Sequence, residues 1–509
     1  MAAGRTTKVA YNTIAAMLHM VINQILSLTV SIKVLEVYGP DYHGLNSVLS
    51  NIMIWILMLE GGLTTASTVA MYKPFVNKEY DQCNRVLAAS RIKYMQIGGL
   101  IFLVGVLIAL IYPFVVKSPV PYWDICLIFL IMTCTTSFGI FYTRKYAIMY
   151  SVTQNEYINQ FITIFVAILG NAVIYMLAVK AANYLWIRTI YLAITVVTGI
   201  LLGLVIRRMY RFIDFKAEPD MPAIKGTRDV VVQKLTNVIR TSAPSLYISS
   251  AIGTTAASIY SVNLYGYNFI RTIVVNVLTA TQSGIGQVVA EKNSEEVYKI
   301  FRIFEYIATT VLLWLMTTAI MVTIPFINFY TRNVPDIEYV NYFLWLIIPI
   351  NVTIQLLHIP SGVIINMNAK FREDRNFQIF SIVVMLSFMF LCGRYYGLNG
   401  IMVGVFAGSI TLAIQEIHYT HGRIFGKGYW EFFRPIVIDL AFLLPVMYVE
   451  FFLIPQTVGI AQFFLVGGVV ALVHLGVLFT VNFLFERERM RLGGDRIMKA
   501  LVRRKQASA

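Results

Sequence analysis

Charge is scarce in this sequence. Of 509 residues only 13 % are Asp, Glu, Lys or Arg, roughly half the share usual in soluble domains, and 58 % are hydrophobic. That balance excludes a soluble enzyme, a disordered chain and a nucleic-acid-binding domain. Cysteine is nearly absent too. Cys83, Cys126, Cys134 and Cys392 show no metal-ligand spacing and mostly sit in or beside apolar runs, which argues against a disulfide framework and a metal site. HExxH, CxxC and nucleophile-elbow motifs are missing. Gly422-Arg-Ile-Phe-Gly426-Lys427-Gly428 imitates a phosphate loop, but it is one residue short between the glycines and has Gly where Ser or Thr should bind magnesium. Without an ATP motor, uphill work must draw on an ion gradient or the membrane potential.

What the chain does have is length in its apolar runs. A helix needs about 20 mostly apolar residues to cross a bilayer core. Fourteen such stretches fall near 9–33, 44–71, 95–116, 124–143, 157–179, 185–206, 235–257, 262–289, 303–326, 340–367, 377–393, 400–419, 435–453 and 461–484. The expected fold class is an all-α polytopic membrane protein. Short basic loops resist translocation, and with a cytoplasmic N-terminus 33 of the 41 Lys and Arg fall inside, leaving both termini cytoplasmic. The net charge of +15 then follows from topology. The first run is too long for a cleavable signal peptide and carries Asn23 and Gln24. No outside connection exceeds about a dozen residues, too little for an external catalytic domain.

A weak repeat suggests two halves. His43-Gly-Leu-Asn-Ser-Val48 opens the second span and Ser258-Ile-Tyr-Ser-Val262 the eighth; Gly62-Leu-Thr-Thr-Ala66 corresponds to Val277-Leu-Thr-Ala-Thr281, and Asn77-Lys-Glu-Tyr80 to Lys292-Asn-Ser-Glu295. Six spans separate the copies, so orientation is kept and a site between parallel halves is expected. The organisation would be a six-helix lobe at 1–206, a basic cytoplasmic linker at 207–234, a second six-helix lobe at 235–419, two further helices in 420–484 and a basic tail at 485–509.

A charge at mid-bilayer costs on the order of 2.5–3.5 kcal/mol and needs a partner or a wet cavity. Glu60, Arg240 and Arg271 are the deepest. Either Glu60 pairs with one arginine to hold the halves together, or the arginines line a cationic cavity for an anionic substrate while Glu60 tunes it or carries a coupling proton. Arginine suits phosphate because its planar fork donates two hydrogen bonds at once. Asn23, Gln24 and His19 form a second polar patch; Gln282 and Gln287 are further candidates, each weighed against ordinary helix–helix contact. His358 reads as a packed side chain, and Asp439 and Glu450 as solvated residues near span ends. Pro244, Pro349 and Pro360 would kink their spans, consistent with gating helices. Gly199-x3-Gly203 and Gly400-x3-Gly404-x3-Gly408 read as close helix packing.

At Tyr38-Gly39-Pro40-Asp41-Tyr42-His43-Gly44-Leu45, continuing to Leu59-Glu60-Gly61-Gly62-Leu63, and again at Tyr396-Gly397-Leu398-Asn399-Gly400, the chain resembles the bacterial Wzx-type polysaccharide-transporter flippases. With fourteen spans in two six-span halves, the resemblance covers essentially the whole chain. It implies the two-lobed fold of the superfamily that also holds multidrug and toxin extrusion transporters and lipid II flippases. It further implies a non-enzymatic flippase in the bacterial inner membrane. The implied substrate is an undecaprenyl-diphosphate-linked oligosaccharide for cell-surface polysaccharide, moved to the outer leaflet by alternating access. Its cavity tends to be cationic, which matches Arg240 and Arg271 by position rather than by a fixed motif. No cofactor is expected beyond H+ or Na+ coupling; the expected partners are membrane lipids, polysaccharide polymerase and glycosyltransferases, with no nucleic acid. The alternatives are an ion-coupled multidrug or cation antiporter of the same fold, which would favour acidic cavity residues, and an integral-membrane glycosyltransferase or polymerase, which would ordinarily need a long outside loop.

Overall fold

The computed structural model describes residues 5–60, 62–224, 228–280, 285, 289, 293–457 and 459–491. Among them there is no strand. In a bilayer the backbone must satisfy its own polar groups, and helices do so within each segment. The helices are α1 (Arg5–Leu57), α2 (Leu63–Val76), α3 (Tyr80–Val115), α4 (Tyr122–Phe138), α5 (Arg144–Val152), α6 (Glu156–Val179), α7 (Tyr184–Met209), α8 (Arg228–Ala251) and α9 (Thr254–Ala280). They continue with α10 (Ser294–Tyr330), α11 (Tyr342–Leu357), α12 (Ile359–Met367), α13 (Phe371–His418), α14 (Trp430–Leu453) and α15 (Ile460–Phe485). Among the described residues ten helical stretches are long and apolar enough to cross a membrane; α8 and α9, where the seventh and eighth spans were expected, are not among them.

Two of the longest helices join expected spans: α13 runs through the eleventh and twelfth, and α1 through the first and the opening part of the second. Gly39 breaks α1 with φ 81° and ψ 176°, and Gly397 breaks α13 with φ 56° and ψ −132°. Only glycine takes up such a positive φ without steric cost, so both Tyr-Gly signatures of the sequence mark a kink between helical segments. Elsewhere the ends are capped by side chains. Asn183 Oδ1 accepts from the Leu185 amide at 2.9 Å, and Asn341 Oδ1 from Phe343 and Leu344 at 3.0 and 3.1 Å, meeting donors that a helix start leaves open.

The chain divides into two compact units, Met1–Ser258 and Ile259–Ala509. In the first, α1 lies against α6 and α8, and α4 packs between α3 and α7. The segment after α7 is strapped to α3: Asn84 donates to the Phe212 carbonyl at 2.8 Å and accepts from the Asp214 amide at 3.0 Å. In the second, α10 packs against α11, α14 and α15, while α13 covers α11 and α12. Outward-facing Leu and Phe, such as Phe114, Phe452, Phe464 and Leu472, are strongly exposed in both units, as lipid-facing side chains should be.

Candidate functional site

The polar residues singled out from the sequence are spread over several helices. Glu60 ends a 3-10 turn (Met58–Glu60) just before α2, where the second span is interrupted. Its carboxylate accepts from Thr64 Oγ1, which also lies 2.8 Å from the Tyr94 hydroxyl. Among the described residues no ion pair joins Glu60 to an arginine. Arg240 is buried in α8, four residues before Pro244, and α8 runs through that proline without a break. Asn23 donates to His19 Nε2 at 2.6 Å, so this part of the polar patch assembles along one helix face; Gln24 beside it is half-buried. In the second unit Arg271 lies within α9, half-buried, with the Tyr260 hydroxyl in electrostatic reach and no carboxylate partner among the described residues. Pro349 sits inside an unbroken α11. The tenth span instead breaks at His358, and Pro360 occupies the first turn of α12, where its missing N–H costs nothing. Gln282 and Gln287 lie outside the described residues.

Asp439 and Glu450 are not solvated, contrary to expectation. Asp439 is 2 % exposed and accepts from Asn482 Nδ2 at 2.8 Å, while Asn482 Oδ1 accepts from the Tyr306 hydroxyl at 2.6 Å. Glu450 accepts from His474 Nε2 at 2.8 Å, and Thr317 Oγ1 lies 3.0 Å from the other ring nitrogen. Position near a span end misled here, because α14 turns these carboxylates toward α10 and α15 rather than outward. An open, mostly apolar groove of about 680 Å³ runs beside Glu450, lined by Pro445, Val449, Leu465 and Val469. His358 is packed as expected, donating Nδ1 to Glu416 Oε2 at 2.9 Å.

Several buried charges were not foreseen. Glu305, 1 % exposed, takes Arg302 on one side and His421 Nε2 at 3.0 Å on the other; Arg302 also donates to the Glu431 carbonyl at 2.5 Å. Arg188 is buried in α7, donating to Asn46 and to the Tyr184 hydroxyl at 2.6 Å with its guanidinium over the Tyr184 and Tyr191 rings. Lys145 is buried among aromatic rings. Glu305 and Glu416 lie inside expected spans, and a carboxylate in an apolar run demands a partner. That signal was present in the sequence; the identity of the partner was not.

Taken together, these features define an integral multi-pass membrane protein, a helical bundle of two units with ionisable groups buried inside both. No family model matches the chain, and no curated protein is similar to it. Solved structures do share its fold. An inward-facing conformation of a multidrug resistance MATE family transporter of the MOP superfamily superposes with a TM-score of 0.62 at 15 % identity, covering 79 % of this chain and 94 % of that one. The outward-facing conformation of a multidrug resistance MATE family transporter gives 0.52 at 15 % identity, over 82 % and 95 %. A MOP superfamily transporter from Pyrococcus furiosus Vc1 (DSM3638), described as having a binding pocket of reverse polarity that suggests a different function, gives 0.50 at 14 % identity, over 82 % and 95 %. The chain therefore has a MATE-like fold.

Proposed function

We propose that this protein is a transporter of the bacterial inner membrane that flips an undecaprenyl-diphosphate-linked oligosaccharide from the inner to the outer leaflet. The observation that carries the reading is Arg271, a half-buried cation in α9 that no carboxylate neutralises among the described residues. A guanidinium in that setting attracts an anion, and a diphosphate offers the bidentate geometry it prefers. Three carboxylates of the same unit, Glu305, Glu416 and Glu450, are each engaged by Arg302 or a histidine. The MATE-fold neighbours include inward- and outward-facing conformations, which supports alternating access. The Pyrococcus transporter supports the view that pocket polarity varies within this fold. Arg240, buried in the first unit, is a second cation assigned to the anionic headgroup, with Asn23, Gln24 and Gln282 as polar candidates for the glycan. Coupling to H+ or Na+ is assigned to Glu60, whose carboxylate sits at a helix interruption. Pro244, Pro349 and Pro360 are the assigned hinge positions.

The second reading, an ion-coupled antiporter for organic cations, is favoured by Asp439, a buried carboxylate held by Asn482 with no cationic partner among the described residues. The test is translocation of a fluorescent diphosphate-linked oligosaccharide lipid in proteoliposomes. Translocation by the wild type, lost in an Arg271→Ala variant inserted to the same level, supports substrate and residue together. Translocation unchanged by the substitution keeps the substrate and removes Arg271 from the site. No translocation, with or without an ion gradient, overturns the substrate.

A further inference from the structure

The first unit gathers three cations with no carboxylate partner among the described residues. Lys145 on α5 is 9 % exposed, and its ammonium makes no hydrogen bond or ion pair among the described residues. Its neighbours are aromatic instead: Nζ lies 4.6 Å from the ring centre of Tyr142, 5.1 Å from that of Tyr146 and 5.6 Å from that of Phe215. Arg91 of α3 and Arg207 of α7 are within electrostatic reach of this ammonium. Arg91 donates to the Phe215 carbonyl at 3.3 Å, and Arg207 reaches the Tyr146 hydroxyl at 3.5 Å. Neither guanidinium has a carboxylate partner among the described residues.

The arrangement is built from four separate stretches of chain. A widened helical turn, Gly139–Thr143, carries Tyr142 to the side of Lys145. The Gly199-x3-Gly203 pair on α7 makes room for the rings: a Cβ at Gly199 would lie 2.9 Å from the Tyr142 ring, and one at Gly203 would lie 2.9 Å from the Tyr146 ring. Phe215 arrives on the strapped segment after α7. Aromatic faces attract a cation through their quadrupole, but they carry no net negative charge to offset three positive groups. Like charges gathered in partly dehydrated surroundings repel unless a counter-charge joins them. The component this geometry asks for is an anion.

We propose that Lys145, Arg91 and Arg207 form a phosphate-binding site, taking either the headgroup of an anionic phospholipid or a free phosphate compound. Lys145 supplies a buried compact charge, half-buried Arg91 one fork and exposed Arg207 a second. The site uses none of the residues assigned to transport, so it stands or falls independently of the substrate.

The test uses the full chain, delipidated in neutral detergent, with phosphatidylglycerol, phosphatidylcholine and inorganic pyrophosphate as probes and melting temperature and native mass spectrometry as readouts. Phosphatidylglycerol or pyrophosphate is expected to bind and stabilise the wild type, at least tenfold more weakly in Lys145→Met, with Lys145→Arg close to wild type. Phosphatidylglycerol acting alone identifies a lipid headgroup; pyrophosphate acting, or displacing the lipid, identifies free phosphate. Should Lys145→Met fail to fold, the Arg91→Gln/Arg207→Gln double variant, which keeps the buried lysine, carries the same expectation. Equal binding of phosphatidylcholine, equal binding by wild type and variants, or no response to either anionic probe overturns the site.

Discussion

The two units bury charge in different ways. In the second, carboxylates are met by cations or histidines: Glu305 by Arg302 and His421, Glu416 by His358, Glu450 by His474. In the first, Arg188 is held by an amide, a phenol and two aromatic rings, and Lys145 by rings alone. Removing one partner of a neutralised pair strands the other inside the bundle. Removing a cation held by neutral groups strands nothing charged. The difference teaches that the second unit uses charge as internal fastening, whereas the first keeps positive charge in reserve. Among the described residues Arg271 and Asp439 depart from this pattern, a cation without a carboxylate and a carboxylate without a cation, and Arg271 is the one we place against substrate.

The contrast can be tested by breaking each side. Glu305→Ala leaves Arg302 and His421 without their acceptor, and stability in detergent should fall by about 3–5 kcal/mol, the usual loss when half of a buried pair is removed. Arg188→Met keeps the apolar bulk and loses the hydrogen bonds to Asn46 and Tyr184. Its expected cost is smaller, about 1.5–3 kcal/mol, and an equal or greater loss than Glu305→Ala would erase the contrast. Gly203→Ala drives a methyl against the Tyr146 ring beneath Lys145, and its melting curve should show a loss of about 1–3 kcal/mol from overpacking. The smallest effect is expected for Asp439→Asn. The amide oxygen can still accept from Asn482, so stability should stay within about 1 kcal/mol of wild type. Flipping should also persist in that variant; loss of cation uptake from Asp439→Asn would instead favour the antiporter.

Much of this architecture was legible in the sequence, because crossing a bilayer imposes length and polarity on every helix. The two Tyr-Gly signatures fell where Gly39 and Gly397 turn the chain, since a positive φ singles out glycine. Pairings across helices were not legible. Glu305 and His421 are 116 residues apart, and Asp439 meets Asn482 from another helix. Nothing in local composition names such partners. Arg188 lies at the start of one expected span and Arg302 just before another, where charge looks solvated, yet both are buried. Of the candidate site, the position of Arg271 within a helix was readable, and the lack of a carboxylate beside it among the described residues emerged from the fold.

The central claim, that the transported group is anionic, is tested most directly by substrate charge. One proteoliposome preparation would be assayed in parallel for flipping of a diphosphate-linked oligosaccharide lipid and for uptake of a fluorescent organic cation, in wild type and in Arg271→Ala. The account predicts flipping well above protein-free vesicles, its loss in the variant, and no cation uptake in either. Cation uptake driven by an ion gradient, with the anionic lipid left in place, would contradict it.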